Sequence, residues 1–399
     1  MMPEILFFIF LGVIAGVVAG LLPGIHPNLI SILAGSVLMG MDFFPDTFCF
    51  ISFMVSMGMS NSFVNVIPSI SFSVPDPETS LTILPGHKML LKGYGYHAIK
   101  LTVIGSLGGL FICAALLPII IKIVPILYNL LRPNLHWALT TVVIYMILAE
   151  KKRLIASSCF LLSGLIGILG SQLPINQNFY LFAVLTGLFG FPMLILSIKN
   201  NSIVPNQKIK DKYVSRIVLN RSVVAGSLAG LITGLLPGIG VAQATVLASI
   251  GQRKSDAGFL ISMGAVTTTN ILFSFLAIWL IGKPRSGVAA VVNQFVEIGF
   301  NEFLVMILAA LIAGGIATVI TLKSAKIILN IVQKVNYVLI NKLIVLFLFL
   351  LIFYFTGLHG IFLTFIATCL GIFTNLNNVR RTHLMGVLLL QTILFFAGA

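Results

Sequence analysis

Gly20-Leu21-Leu22-Pro23-Gly24-Ile25 recurs later in the chain as Gly234-Leu235-Leu236-Pro237-Gly238-Ile239. The two prolines are 214 residues apart (237 − 23), a little over half of the 399-residue chain. Each copy follows an apolar run with a glycine at every fourth position, at 12, 16 and 20 and again at 226, 230 and 234. Proline removes a backbone donor and glycine permits unusual dihedral angles, so Pro-Gly within an apolar run predicts a broken helix.

The composition predicts a membrane protein. Hydrophobic residues make up 58% of the chain, charged residues 9%, and the mean hydropathy is +1.11. A soluble domain has no means of burying so much apolar surface, so we expect an all-α polytopic membrane protein. The net charge of +14 is scattered over short loops and not gathered on one segment, which favours membrane topology over nucleic-acid binding.

Broken helices in hydrocarbon leave backbone groups that need protein or a watery cavity beside them. Two such breaks in corresponding halves are the sequence signature of a transporter site near the bilayer midplane. The apolar stretches predict about ten to twelve transmembrane helices. Among them, 5–22 with 27–41 and 217–236 with 239–251 are expected to form hairpins or half-helices hinged at the Pro-Gly motifs.

The distribution of Lys and Arg predicts the orientation. Twenty of the 24 basic residues fall into one set of loops, which we assign to the cytoplasmic side: 75–100, 150–153, 199–221, 253–256, 323–342 and 379–383. The first hairpin then enters from outside and the second from the cytoplasm, with the N-terminus outside the cell membrane. We therefore expect two inverted-topology repeats, 1–153 and 222–399, joined by a connecting hairpin and a basic cytoplasmic linker at 154–221.

A second pair of stretches carries small and hydroxylated residues in apolar surroundings. Ser56–Ser62 parallels Ser262–Thr268 with an offset of 206 residues (262 − 56), and an asparagine follows each. With the Pro-Gly motifs, these stretches supply the candidate substrate-binding residues: Pro23, Gly24, Ile25, His26, Asn28, Ser60, Asn61, Asn65, Pro237, Gly238, Ile239, Gly240, Gln243, Thr245, Thr268, Thr269 and Asn270.

Each candidate has a plainer interpretation. Amides at a half-helix N-terminus can bind a carboxylate, whereas a plain packing kink also contains Pro-Gly. His26 is either a proton carrier or an interfacial histidine. The hydroxyl and amide groups are either ligands or interhelical hydrogen-bonding groups. Lys283 and Arg285 either attract an anion over distance or anchor the outer interface.

No enzyme signature is present. The histidines and cysteines lack metal-ligand spacing, so we assign no metal site and no cofactor apart from a coupling ion, Na⁺ or H⁺. Neither a nucleotide-binding P-loop nor a serine-hydrolase elbow occurs, and the polar residues offer no matched acid pair.

Three places in the chain resemble the large membrane subunit (TctA) of the tripartite tricarboxylate transporter family. They are the paired Gly-Leu-Leu-Pro-Gly phrases, the stretch from Ser60 to Pro68, and the loop from Thr82 to Gly93 with Pro85-Gly86 before Met89. The resemblance implies ion-driven secondary transport of small carboxylates. It also implies a small membrane subunit and an external substrate-binding protein as partners.

Our first hypothesis is a cation-coupled carrier of di- or tricarboxylates, bound between the two Pro-Gly hairpins and able to form a homodimer. The alternative is a flippase for a lipid-linked phosphate such as polyprenyl phosphate, because half-helix N-termini suit a phosphate equally well. An intramembrane enzyme is the third and least supported hypothesis.

Overall fold

A computed structural model describes residues 2–22, 31, 43–72, 83–175, 177–199, 204–209, 212–235, 241–249, 255–334 and 336–398. Within these ranges every regular element is helical. The first half contains α1 (Met2–Leu21), α2 (Thr47–Val64), α3 (Val66–Phe72), α4 (Ile83–Leu90), α5 (Gly95–Leu131), α6 (Leu135–Leu148), α7 (Arg153–Ser171), α8 (Gln177–Leu185) and α9 (Phe191–Lys199). The second half contains α10 (Arg216–Leu235), α11 (Val241–Ser249), α12 (Asp256–Ile281), α13 (Gly287–Phe295), α14 (Phe300–Val332), α15 (Tyr337–Leu376) and α16 (Gly386–Ala397).

The expectation of an all-helical polytopic membrane protein is confirmed. Nine helical stretches in the described part of the chain are long and apolar enough to cross a membrane. The higher count of ten to twelve stays a prediction, because both Pro-Gly motifs, 23–24 and 237–238, lie outside the described residues.

Glycines bring α1 and α2 into close contact. A Cβ added at Gly12 would collide with the backbone of Phe53, and one at Gly16 would collide with the Met57 carbonyl and the Ser60 hydroxyl. Gly20, one turn further, lies against Asn61. Because each step of four residues along α1 meets a later residue of α2, the two helices run parallel.

The pair α10 and α12 is packed in the same way. Gly226 lies against Ser262, Gly230 against Val266 and Thr269, and Gly234 against Asn270 and Phe273. These helices are therefore also parallel, and the chain between them must return to its starting side. The short helix α11 lies in this return and packs through Ala244 and Ala248 against α10 and α12.

The third long helix of each half packs against the second long helix of the other half. Helix α5 of the first half runs parallel to α12, with Gly105 against Ile261 and Gly109 against Ala265. Helix α14 of the second half packs on α2, where Gly314 is close to the ring of Phe63. This arrangement places α2 and α12 at the centre, and they also contact each other.

Helices α5 and α14 run in opposite directions. The start of α5, at Gly95, lies beside Leu329 near the end of α14, while Leu110 meets Gly314 about halfway along both helices. A cation–π contact of 5.5 Å between Lys326 and the Tyr96 ring marks the same end. Helix α5 is the next long helix after α2 in the first half, and α14 is the next long helix after α12 in the second half. Their opposite directions are therefore relevant to whether the two halves have inverted topology.

A second hydrophobic group packs outside these helices. It is formed by α6 to α9 with α15 and α16, and its buried side chains include Phe160, Leu188 and Leu384. Helices from both halves of the chain contribute to this group. The predicted division into 1–153, 154–221 and 222–399 concerns the repeats and stays a prediction.

Candidate functional site

Nine of the 17 candidate residues lie outside the described part of the chain. They are Pro23, Gly24, Ile25, His26, Asn28, Pro237, Gly238, Ile239 and Gly240. Gln243 lies in α11, but its side chain is also outside the description. The remaining candidates are on α2, on α11 and α12, or at the end of α2.

Asn61 is the most unusual of these residues. The residue is 1% exposed, its backbone carbonyl lies against Gly20 of α1, and neither its side-chain amide oxygen nor its amide nitrogen has a hydrogen-bond partner in the structure. A buried primary amide without partners costs about 1–3 kcal/mol of stability. Polar groups at such depth usually line a pathway or a site, so Asn61 is the strongest candidate.

The helical hydrogen bonding is interrupted just beyond Asn61. Helix α2 ends at Val64 with Asn65 as its C-cap, and α3 follows with Pro68 in its first turn. Because proline has no amide hydrogen, the carbonyl of Val64 lacks its usual helical donor at this point. A buried carbonyl and a buried amide therefore occur within one turn of each other.

The second half presents Thr268, Thr269 and Asn270 on the middle of α12. Thr268 is fully buried, and its hydroxyl has no hydrogen-bond partner in the structure. Thr269 fits between Gly109 of α5 and Gly230 of α10. Asn270 is half-buried, with its carbonyl beside Gly234.

Contacts with the glycines give an alignment of the two halves that differs from the one based on sequence. Gly20 meets Asn61 and Gly234 meets Asn270, which corresponds to an offset of 209 residues (270 − 61) on the second helix of each pair. The same offset relates Met57 to Val266. The offset of 206 residues, which was taken from the shared Ser-Met-Gly tripeptide, therefore differs by three residues from the offset in the structure. The sequence does not show which residues the glycines contact, so it could not reveal this difference.

Two candidates already use their hydroxyl groups within their own helices. Ser60 donates to the carbonyl of Ser56 at 2.7 Å, and Thr245 donates to that of Val241 at 2.7 Å. Their oxygens remain able to accept a hydrogen bond. Ser60 also has a packing role, because it lies against Gly16.

Arg285, beyond the end of α12, is partly buried and contacts residues of two helices. Its backbone N–H donates to the hydroxyl of Ser274 at 3.1 Å, and its guanidinium lies 5.6 Å from the ring centre of Tyr128. The Nε and Nη2 atoms are buried without hydrogen-bond partners in the structure. Sequence reasoning had placed this residue at the outer face without a defined site.

In the described part of the chain, nine apolar helices with polar groups buried among them indicate a multi-pass membrane protein. The chain belongs to the tripartite tricarboxylate transporter TctA family, whose match covers residues 6–386. The resemblance noted in the sequence is thereby confirmed over nearly the whole chain.

A curated relative has a similar length. The "Uncharacterized protein MJ1079" of Methanocaldococcus jannaschii is 33% identical over 357 residues, which cover 87% of this chain and 88% of that protein. No solved structure matches the chain.

Proposed function

We propose that this protein is a cation-coupled secondary transporter of small organic anions such as di- or tricarboxylates. In this proposal, the anion binds between the two Pro-Gly segments near the bilayer midplane, at the equivalent residues Asn61 and Asn270. The observation that carries it is the buried amide of Asn61, which has no hydrogen-bond partner in the structure. A primary amide donates to a carboxylate through its nitrogen and can ligate a cation through its oxygen.

The directions of the helices support inverted repeats. Helix α14 accompanies α2, α5 accompanies α12, and α5 runs opposite to α14. The side of entry of each hairpin still rests on the distribution of Lys and Arg. Two halves of opposite orientation that meet at α2 and α12 are suited to alternating access around a central site.

Membership of the family supports the substrate class and the partners. The word tripartite in its description favours two further components, which we take to be a small membrane subunit and an external substrate-binding protein. The coupling ion is Na⁺ or H⁺, and the cell membrane is the proposed location, with the N-terminus outside.

Uptake into proteoliposomes tests the proposal. Wild-type protein, supplied with its binding protein and small subunit, should accumulate a labelled di- or tricarboxylate when a Na⁺ or proton gradient is imposed. Asn61→Leu and Asn270→Leu should reduce the initial rate by about tenfold or more, the value expected for one lost hydrogen bond to a charged ligand.

Asn341 provides a matched control. It is a fully buried amide on α15, but its Nδ2 atom donates to the Ser197 hydroxyl at 3.0 Å, away from α2 and α12. Asn341→Leu should transport at the wild-type rate per folded protein. Translocation of polyprenyl phosphate without carboxylate uptake would instead identify the flippase and contradict the proposed substrate.

A further inference from the structure

The turn between α15 and α16 contains a buried cation that no carboxylate of the described residues neutralises. Arg381 is 4% exposed, and its hydrogen-bond partners in the described part of the chain are neutral: Nε donates to Oδ1 of Asn375 at 2.7 Å, and Nη2 contacts the sulfur of Met193. The Nη1 atom is buried without a hydrogen-bond partner in the structure. An arginine side chain stays protonated in proteins, so this is a fixed positive charge.

The acid at this turn pairs with a different arginine. The Oε1 atom of Glu150 lies 3.3 Å from Nε of Arg380 and 3.5 Å from Nε2 of His383. Within the described part of the chain, no carboxylate forms an ion pair with Arg381. Glu150 therefore neutralises Arg380 and leaves Arg381 without an acidic partner among the described residues.

A buried charge without a counter-ion is strongly unfavourable, because desolvation is not repaid by an opposite charge. A neutral amide and a thioether sulfur are weak substitutes for a carboxylate as partners of a guanidinium. Arginine presents several N–H groups in one plane, which suits carboxylate and phosphate oxygens. The positive charge of Arg381 and its unpaired Nη1 atom thus match a single anionic group.

We propose that Arg381 binds a carboxylate or phosphate group on the basic side of the protein, at a place separate from Asn61 and Asn270. The proposal goes beyond the transport function and does not depend on which anion is carried. The group belongs either to a soluble anion or to the headgroup of an anionic lipid, since both present the same oxygens.

An anion can reach Arg381 only if the protein opens locally. Nη1 is shielded from solvent in this conformation, so binding requires a neighbouring element to open. His87 on α4 is near enough for the charge of Arg381 to help lower its pKa, after the larger effect of burial. Helix α4 also pairs Lys88 with Asp256, the first residue of α12, at 3.5 Å.

The test measures the melting temperature of the full-length protein at pH 7.5 and constant ionic strength, in neutral detergent. Inorganic phosphate and citrate are titrated in one arm, and phosphatidylglycerol is added in the other. A ligand that binds only the folded state raises the melting temperature with its concentration. Response to the soluble anions identifies a free anion, and response to the lipid alone identifies a headgroup.

Arg381→Gln should weaken the apparent affinity of the responding anion by at least about tenfold, as expected for lost charge-assisted hydrogen bonds. Arg380→Gln is the matched control, because Arg380 is exposed and already paired with Glu150. It should respond as the wild type does. An unchanged response in Arg381→Gln, or no response of the wild type to any of the three probes, would overturn the proposal.

Met193→Glu supplies an independent test should Arg381→Gln fail to fold. Glutamate places a carboxylate where the methionine sulfur touches Arg381, so the charge is neutralised internally. This variant should melt higher than Met193→Gln without any anion and show no further rise when the anion is added. Equal responses of the Glu and Gln variants would also contradict the site. Phosphate binding that persists in Asn61→Leu would show that the two sites are distinct even if transport of carboxylates fails.

Discussion

Asn61 of α2 and Asn270 of α12 stand in the same relation to a glycine of their partner helices. A Cβ built at Gly20 would lie 3.1 Å from the carbonyl oxygen of Asn61, and one built at Gly234 would lie 3.3 Å from that of Asn270. These glycines are the last of three in α1 and in α10, directly before the Pro-Gly motifs. The two asparagines therefore hold corresponding positions beside the glycine that begins each copy of the hexapeptide.

Asn61→Leu should separate stability from function. Leucine has a shape similar to asparagine and removes two buried groups that lack partners, so the free energy of unfolding should rise by about 1–3 kcal/mol while the transport rate falls by about tenfold or more. Chemical or thermal unfolding in detergent, combined with uptake, checks both effects. Asn341→Leu should gain less, because it removes one buried oxygen without a partner but also loses the hydrogen bond from Nδ2 to Ser197, and we expect a change within about 1 kcal/mol. A destabilised Asn61→Leu would show that the amide has a structural partner.

Gly16→Ala should destabilise the protein by about 1–3 kcal/mol, because the added methyl group collides with the Met57 carbonyl and the Ser60 hydroxyl. The matched control is Gly315→Ala on the exposed side of α14, where a Cβ meets nothing within 4 Å. That change should be neutral or stabilise by up to about 1 kcal/mol, since alanine loses less backbone entropy than glycine in a helix. Comparable melting temperatures for the two variants would show that α1 and α2 are less closely packed than described.

Gln207→Ala should loosen the turn between α4 and α5. The Gln207 side chain donates to the Leu90 carbonyl at 3.0 Å and accepts from the Gly95 amide at 2.9 Å, so one residue of the linker serves both helix ends. Removing it leaves these groups without their partners, and we expect a loss of about 1–2 kcal/mol in local stability. Hydrogen exchange at residues 91–95 should become about tenfold faster or more, whereas exchange in α16 should not change.

His87 makes stability depend on pH. Burial lowers the pKa of His87 below its ordinary value of 6.5, the backbone carbonyl of Ile70 partly opposes this shift, and Arg381 adds to it. The unfolded chain therefore binds a proton more readily than the folded protein. Stability is highest above about pH 6.5 and falls as the pH decreases from there towards the folded-state pKa.

His87→Gln should reduce the fall in melting temperature between pH 7.5 and pH 5, because the proton uptake on unfolding is removed. The exposed His359 supplies the control, and His359→Gln should follow the wild-type profile. Identical profiles for His87→Gln and the wild type would place the acid sensitivity elsewhere.

The amino-acid sequence by itself determined the environment and the repeated unit. An apolar fraction of 58% leaves only the membrane as solvent, and glycine at every fourth position specifies closely packed helices wherever they meet. The hexapeptide and its preceding glycines were identified from the sequence alone, because close helix contacts and helix breaks restrict these positions to glycine and proline. The same sequence motifs indicated the family that residues 6–386 match.

Only the tertiary structure decided which residues face each other. The sequence favoured an offset of 206 residues through Ser-Met-Gly, whereas the contacts of Gly20 and Gly234 give 209 and make Asn61 equivalent to Asn270. It also grouped Arg381 with the ordinary cytoplasmic basic residues, although its guanidinium is buried without an acid. Burial and partner geometry arise from segments far apart in the chain, such as α5 lying against α12, and no local pattern encodes them.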